Sequence, residues 1–170
     1  MGFGRSIGTS LLAAVGLSVA GAELQPGMQA PAFRAQDQGG KWVSLADFAG
    51  KANVCLYFYP KDDTPGCTAQ ACSLRDGHAA ILATGAVVLG VSADDRSSHA
   101  DFAKKFNLNF PILADPDKTI IRAYGVKMPI LGMAKRVTFI IDKKGTIRTI
   151  IREINTKEHD KQVLGLLKAL

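Results

Sequence analysis

The sequence predicts an α/β fold in which helices flank a mixed central sheet, and three observations carry that prediction. The stretch AVVLGVSA, residues 86–93, is a continuous apolar run of the kind found in a parallel strand covered on both faces. The segments VTFIID (137–142) and TIRTIIREI (146–154) flank a Lys-Lys-Gly turn and read as a β-hairpin. Ahead of that hairpin, strand-like runs alternate with segments of helical spacing, which is the pattern of a sheet with helices on its faces.

Each element has a local reason. Short strands are expected at 32–35 and 42–45, on either side of a Gln-Gly-Gly turn, and they form an N-terminal β-hairpin extension. Residues 53–59, NVCLYFY, are apolar and aromatic and read as a buried strand. A helix is expected from Gly66 to about Thr84, with Pro65 at its opening and Gly85 just beyond its end. Residues 98–106 are helical, with Phe102 and Phe106 four apart on one face. A short extended segment at 111–115 and a short helix at 118–124 follow. Asn155, three residues before Glu158, reads as the cap of a final helix with Val163, Leu166, Leu167 and Leu170 on one face. The order β-α-β-α-β-β-α, with a cysteine after the first long strand, is the thioredoxin-like arrangement.

The chain has 170 residues, 47% hydrophobic and 21% charged, which suits one globular domain with a sizeable core. Its net charge of +6 is scattered, and the one dense basic pair, Lys143-Lys144, sits in a turn. Nucleic-acid binding needs a concentrated basic face, so no nucleic acid is expected as a partner. The N-terminus differs from the rest. One positive charge at Arg5 precedes the uncharged run 7–22, which ends in Ala20-Gly21-Ala22, a small-x-small cleavage pattern. That run is shorter than the roughly 20 residues needed to span a bilayer. The expectation is a cleaved signal peptide at 1–22, a mature domain at 23–170 and export to the bacterial periplasm. No stable membrane association is expected after cleavage, and the mature protein is expected to be a monomer.

Three cysteines are an odd number, so at least one is free or paired between molecules. Cys55 falls inside the buried strand and is assigned to packing. Cys67 and Cys72 lie five residues apart in YPKDDTPGCTAQAC, a spacing that suits neither a zinc site nor a structural bridge. Cys67 occupies the first turn of the expected helix, where free N–H groups and the helix dipole favour the thiolate, the reactive form of the side chain. Thr64 can offer a hydroxyl to the sulfur or to a bound oxygen, and Pro60 and Pro65 stiffen the approach.

Pro60-x-x-x-Thr64-x-x-Cys67 resembles the active-site motif of peroxiredoxins, and FYPKDDTPGCTAQAC followed by Arg75-Asp76 is similar to the peroxiredoxin Q or bacterioferritin comigratory group. The likeness runs from about Leu24 to the C-terminus and includes PGMQAPAF, VSLADFAGK, VVLGVSADD and KRVTFIIDKKG. It implies a thiol peroxidase that uses no metal, haem or flavin. Cys67 would attack hydroperoxides, Cys72 would resolve the product as a Cys67–Cys72 disulfide, and Arg136 would match the family's active-site arginine. Thioredoxin or a thioredoxin-like dithiol would be the reductant. Across an ideal helix the two Cα atoms are about 8.6 Å apart, whereas a disulfide needs roughly 4.4–6.8 Å. The helix must therefore loosen before the two sulfurs can join.

His78, His99 and His159 stand at no ligand spacing to a cysteine and are read as solvated or structural. The apolar loop 125–135, GVKMPILGMAK, is read first as packing, with a wall for the site, a seat for organic peroxides or a partner surface as functional alternatives. Two rival classes are an exported disulfide-exchange protein and a copper-binding assembly factor of the same fold. The first needs C-x-x-C, and the second needs C-x-x-x-C with a distal histidine. The chain has neither spacing.

Overall fold

The computed structural model describes residues 23–170, so the expected leader at 1–22 lies outside the described residues. Two strands, β1 (Arg34–Gln36) and β2 (Trp42–Ser44), pair antiparallel as a separate small sheet. The expected N-terminal hairpin extension is therefore present. A 3-10 turn at Leu45–Phe48 leads into β3 (Asn53–Phe58), the central strand of a five-stranded sheet.

Helix α1 (Pro65–Asp76) and the short α2 (His78–Ala83) connect β3 to β4 (Ala86–Ser92). Helix α3 (Arg96–Phe106), β5 (Ile112–Ala114) and α4 (Thr119–Ala123) follow, then β6 (Val137–Ile141), β7 (Ile147–Ile151) and α5 (His159–Leu167). The sheet order is β5-β4-β3-β6-β7; β3, β4 and β5 are parallel, β6 runs antiparallel to β3, and β7, antiparallel to β6, runs in the direction of β3. This is the mixed sheet flanked by helices that the sequence predicts.

The strands alternate two cores. Val54, Leu56 and Phe58 of β3 face one cluster with Leu89, Phe139 and Ile141. Cys55, Tyr57 and Tyr59 face another with Leu74, Val88, Phe102 and Cys67. Successive side chains on a strand point to opposite faces, so each odd-numbered residue from 55 to 59 lies under the helical layer that carries Cys67.

Three expectations needed correction. The single helix expected from 66 to 84 is two helices joined at Gly77, which keeps φ −85° and ψ −1°. A Cβ at Gly77 would lie 2.5 Å from Asp160 Cβ, so the bare backbone is what lets the start of α5 seat against the α1–α2 junction. Asn155 is not the cap of the last helix. Its Oδ1 accepts from Lys157 N and its Nδ2 donates to Glu158 Oε2, and α5 begins only at His159. On α5, Val163 and Leu167 are buried, Leu166 is partly covered, and Leu170 lies past the helix end and is exposed.

Candidate active site

The end of β3 and the start of β6 are neighbours, with Phe58 opposite Val137. This pairing brings two distant pieces of sequence together. The loop 59–64 leaves β3 and enters α1, and Arg136 immediately precedes β6. A hydrogen bond from Thr68 N to Thr64 O, 2.8 Å, is the first intrahelical bond of α1. Thr64 is the N-cap residue and Pro65 the first helical residue, so the N–H groups of Gly66 and Cys67 precede that bond. The Thr64 side chain does not cap them. Its hydroxyl donates to Lys61 O at 2.8 Å rather than to Cys67 Sγ.

Cys67 is 2% exposed on the inner face of α1. Arg136 Nη2 donates to its sulfur at 3.4 Å. The other arm of the same guanidinium, Nη1, donates to Gln70 Oε1 at 2.6 Å. The planar fork therefore grips sulfur and amide together, one helical turn apart. Gly66 makes room for it, since a Cβ there would meet Arg136 Nη2 at 3.1 Å. Gln70 was not singled out from the sequence. Its place three residues after Cys67, on the same helix face, was the available signal.

Two buried polar atoms among the described residues lack a partner, Gln70 Nε2 and Tyr57 Oη. Burial pushes the Tyr57 phenol well above its ordinary range, with Cys55, Asp62 and Cys67 adding in the same direction and Arg136 opposing. Cys55, fully buried in β3, has its thiol raised to about 12 by burial alone. That fits the packing role expected of it.

Cys72 sits farther along α1 and is half-buried. Cys67 and Cys72 are both free thiols, carried on one continuous helix. Pro60 is half-buried at the end of β3. The structure thus brings Arg136 to Cys67 in the first turn of α1, with Thr64 at that helix's N-cap and Pro60 in the loop leading to it, and leaves Cys72 a turn and a half away.

The remaining sequence candidates fall into place around this arrangement. His99 and His159 are fully buried and hydrogen-bonded, whereas His78 is partly exposed and packs edge-on against Phe110. The reading of loop 125–135 as packed holds only for its base, where Val126 and Ala134 are buried. Its tip departs from that reading, because Ile130 and Leu131 are 96% and 67% exposed. Among the described residues no three His, Cys, Asp or Glu side chains form a candidate metal-ligand set. No described helix is long and apolar enough to cross a membrane.

The AhpC/TSA family model matches residues 26–150. The chain belongs to the AhpC/TSA family of peroxiredoxins. It is 42% identical over 151 residues to a chloroplastic peroxiredoxin Q of Populus jackii, covering 88% of this chain and 70% of that one. It is 41% identical over 153 residues to a bcp-type peroxiredoxin of Haemophilus influenzae, covering 86% and 98% of the two chains. In three dimensions it matches the peroxidoxin BcpB of Mycobacterium tuberculosis with a TM-score of 0.81 at 32% identity, over 87% of this chain and 99% of that one. It also matches the Xanthomonas campestris bacterioferritin comigratory protein, TM-score 0.75 at 31% identity, over 81% and 90%. This peroxiredoxin is a thiol peroxidase, an oxidoreductase of the peroxiredoxin Q and bacterioferritin comigratory group.

Proposed function

We propose that this peroxiredoxin reduces hydrogen peroxide and organic hydroperoxides through a Cys67 sulfenic acid that Cys72 resolves as an intramolecular disulfide. The observation that carries this reading is the 3.4 Å contact from Arg136 Nη2 to Cys67 Sγ at the opening of α1. A guanidinium and a helix N-terminus converging on one sulfur stabilise negative charge there.

The Cys67 thiolate attacks one oxygen of the peroxide. The S–O bond forms as the O–O bond breaks, and the leaving alkoxide or hydroxide takes a proton. Donors already aimed at the growing charge lower the barrier. Arg136 and the N–H of Cys67 are those donors. Thr64 has its hydroxyl hydrogen on Lys61 O, so it presents lone pairs and accepts the hydrogen of the peroxide hydroxyl. Pro60 and Pro65 hold the loop that carries Thr64.

Cys67 is then a sulfenic acid. The Cys72 thiolate attacks that sulfur as the S–O bond breaks, and the departing hydroxide takes a proton and leaves as water, which forms the disulfide. Both residues lie on intact α1, so the helix unwinds between them at this step. A thioredoxin-like dithiol returns both thiols by exchange. The apolar leader 7–22 supports export of the 23–170 domain, which would place the reductant in the periplasm.

The test is peroxide consumption by the purified protein with a panel of dithiols. Cys67→Ser abolishes turnover, and Cys72→Ser allows one round that ends at sulfenic acid. Steady-state turnover by Cys67→Ser at the wild-type rate would refute the assignment. Mass spectrometry of the native protein tests the leader, with Glu23 expected at the N-terminus.

A further inference from the structure

The loop between Pro60 and Thr64 is held by a buried polar cluster that the peroxidase chemistry described above does not use. Asp62 is 7% exposed and lies in the middle of the Pro60-to-Cys67 motif. Its Oδ1 accepts from Tyr59 Oη at 2.6 Å. Its Oδ2 accepts from Ser98 Oγ at 2.8 Å and lies 2.7 Å from His99 Nδ1. His99 is fully buried on α3, and its Nε2 faces Leu113 O at 3.0 Å, so Nε2 carries a hydrogen. A proton therefore also lies between Nδ1 and the Asp62 carboxyl. The backbone N–H of Asp62 donates to Asp94 Oδ2, 2.9 Å, and Ser92 Oγ holds that same oxygen at 2.6 Å.

The next residue, Asp63, adopts φ +53°, a left-handed conformation that a non-glycine residue keeps only when its surroundings enforce it. Thr64 follows, its hydroxyl tied back to Lys61. The anchored residue and the strained one thus stand immediately before the helix turn that presents Cys67.

We infer that Asp62, clasped by Tyr59, Ser98 and His99, is a positioning residue that sets Thr64 and the first turn of α1 for attack on peroxide. The inference rests on Cys67 being the attacking thiol. Its consequence is specific to one half of the cycle. Loosening the clasp slows oxidation of Cys67 and leaves reduction of the disulfide by dithiol untouched, because the oxidised protein has already unwound that turn.

The experiment measures kcat/KM separately for hydrogen peroxide and for dithiothreitol in the full chain, well below its melting temperature. Asp62→Ala is expected to lower the peroxide value at least tenfold and leave the dithiol value within twofold. Asp62→Asn can still accept from Tyr59 and donate to His99 Nδ1, so it restores the peroxide value to within about threefold. Tyr59→Phe removes the hydroxyl, with its 2.6 Å bond to Asp62 and its 3.5 Å contact to His99 Nδ1, and keeps the ring. It is expected to lower the peroxide value about threefold, and it tests the clasp even if Asp62→Ala does not fold. Ile147→Ala, in the core on the far side of the sheet, provides a control that loses stability without touching the clasp. An unchanged peroxide value in Asp62→Ala or Tyr59→Phe overturns the inference, as does a parallel fall of both values. Asp62→Asn as slow as Asp62→Ala overturns it too. Activity retained by Cys67→Ser would instead overturn the assignment of the thiol.

Discussion

Arg136→Met removes both arms of the fork while keeping an unbranched apolar stem of similar reach. The bond lost to the reacting sulfur, 3.4 Å from Nη2, involves a charged donor and a sulfur that is anionic when it attacks. Such a bond contributes about 1.5–3 kcal/mol. At about 1.4 kcal/mol per tenfold, the rate constant for Cys67 oxidation should fall roughly ten- to 150-fold. A second effect acts on stability. The 2.6 Å bond to Gln70 Oε1 is also lost, and Gln70 is fully buried with its Nε2 already unpartnered. An unpaired buried amide oxygen costs about 1–3 kcal/mol, which would appear as a lower melting temperature. The two effects are separable. Stopped-flow oxidation by hydrogen peroxide in a Cys72→Ser background reports the first, because the reaction then ends at the sulfenic acid. Thermal unfolding reports the second. Arg136→Lys keeps the charge but cannot bridge sulfur and amide together, and should fall between wild type and Met. If Arg136→Met oxidises within threefold of its parent, the guanidinium does not act on the sulfur and the geometric argument fails.

Other predictions follow from burial. The Cys55 thiol, raised by burial to about 12 from an ordinary 9.0, binds its proton more tightly folded than unfolded. Stability from this group is therefore complete below about pH 9 and falls above it, by roughly 1.4 kcal/mol per pH unit; urea unfolding from pH 8 to 10 should show the slope, and Cys55→Ala should flatten it. The buried His159 imidazole is lowered from 6.5, chiefly by desolvation, with Arg136 acting in the same direction and Gln162 and Asp160 opposing. The unfolded chain then binds the proton more readily, so stability should fall as pH drops below about 6.5, and acid titration of His159→Gln should show a shallower fall. Gly77→Ala places a Cβ 2.5 Å from Asp160 Cβ, and calorimetry should register a loss of about 1–3 kcal/mol.

How far the sequence could be read follows the range of the forces involved. Period and composition mark β3, β4 and the β6–β7 hairpin, because a strand buried on both faces must be apolar throughout and a hairpin needs its turn. The pairing of Phe102 with Phe106 on α3, centroids 5.5 Å apart, was legible from their spacing alone. So was the seat of Cys67 at a helix opening, since Thr64 and Pro65 carry that signal locally. The break at Gly77 was not, because it depends on Asp160, 83 residues further along the chain, pressing against a backbone that in isolation could continue as helix. Nor was the later start of α5, where Asn155 spends its side chain on its own turn.

The division is sharpest at the reacting sulfur. Local sequence by itself determined the helix end that presents Cys67, the distance along the helix that keeps Cys72 from it, and the inert setting of Cys55. Only the tertiary structure decided that Arg136 grips Gln70 as well as the sulfur, that Thr64 turns its hydroxyl hydrogen away, and that Asp62 is clasped from α3. Backbone conformation is chosen by neighbours a few residues away, whereas a hydrogen bond across 69 residues exists only once the β3–β6 register has brought its two ends together.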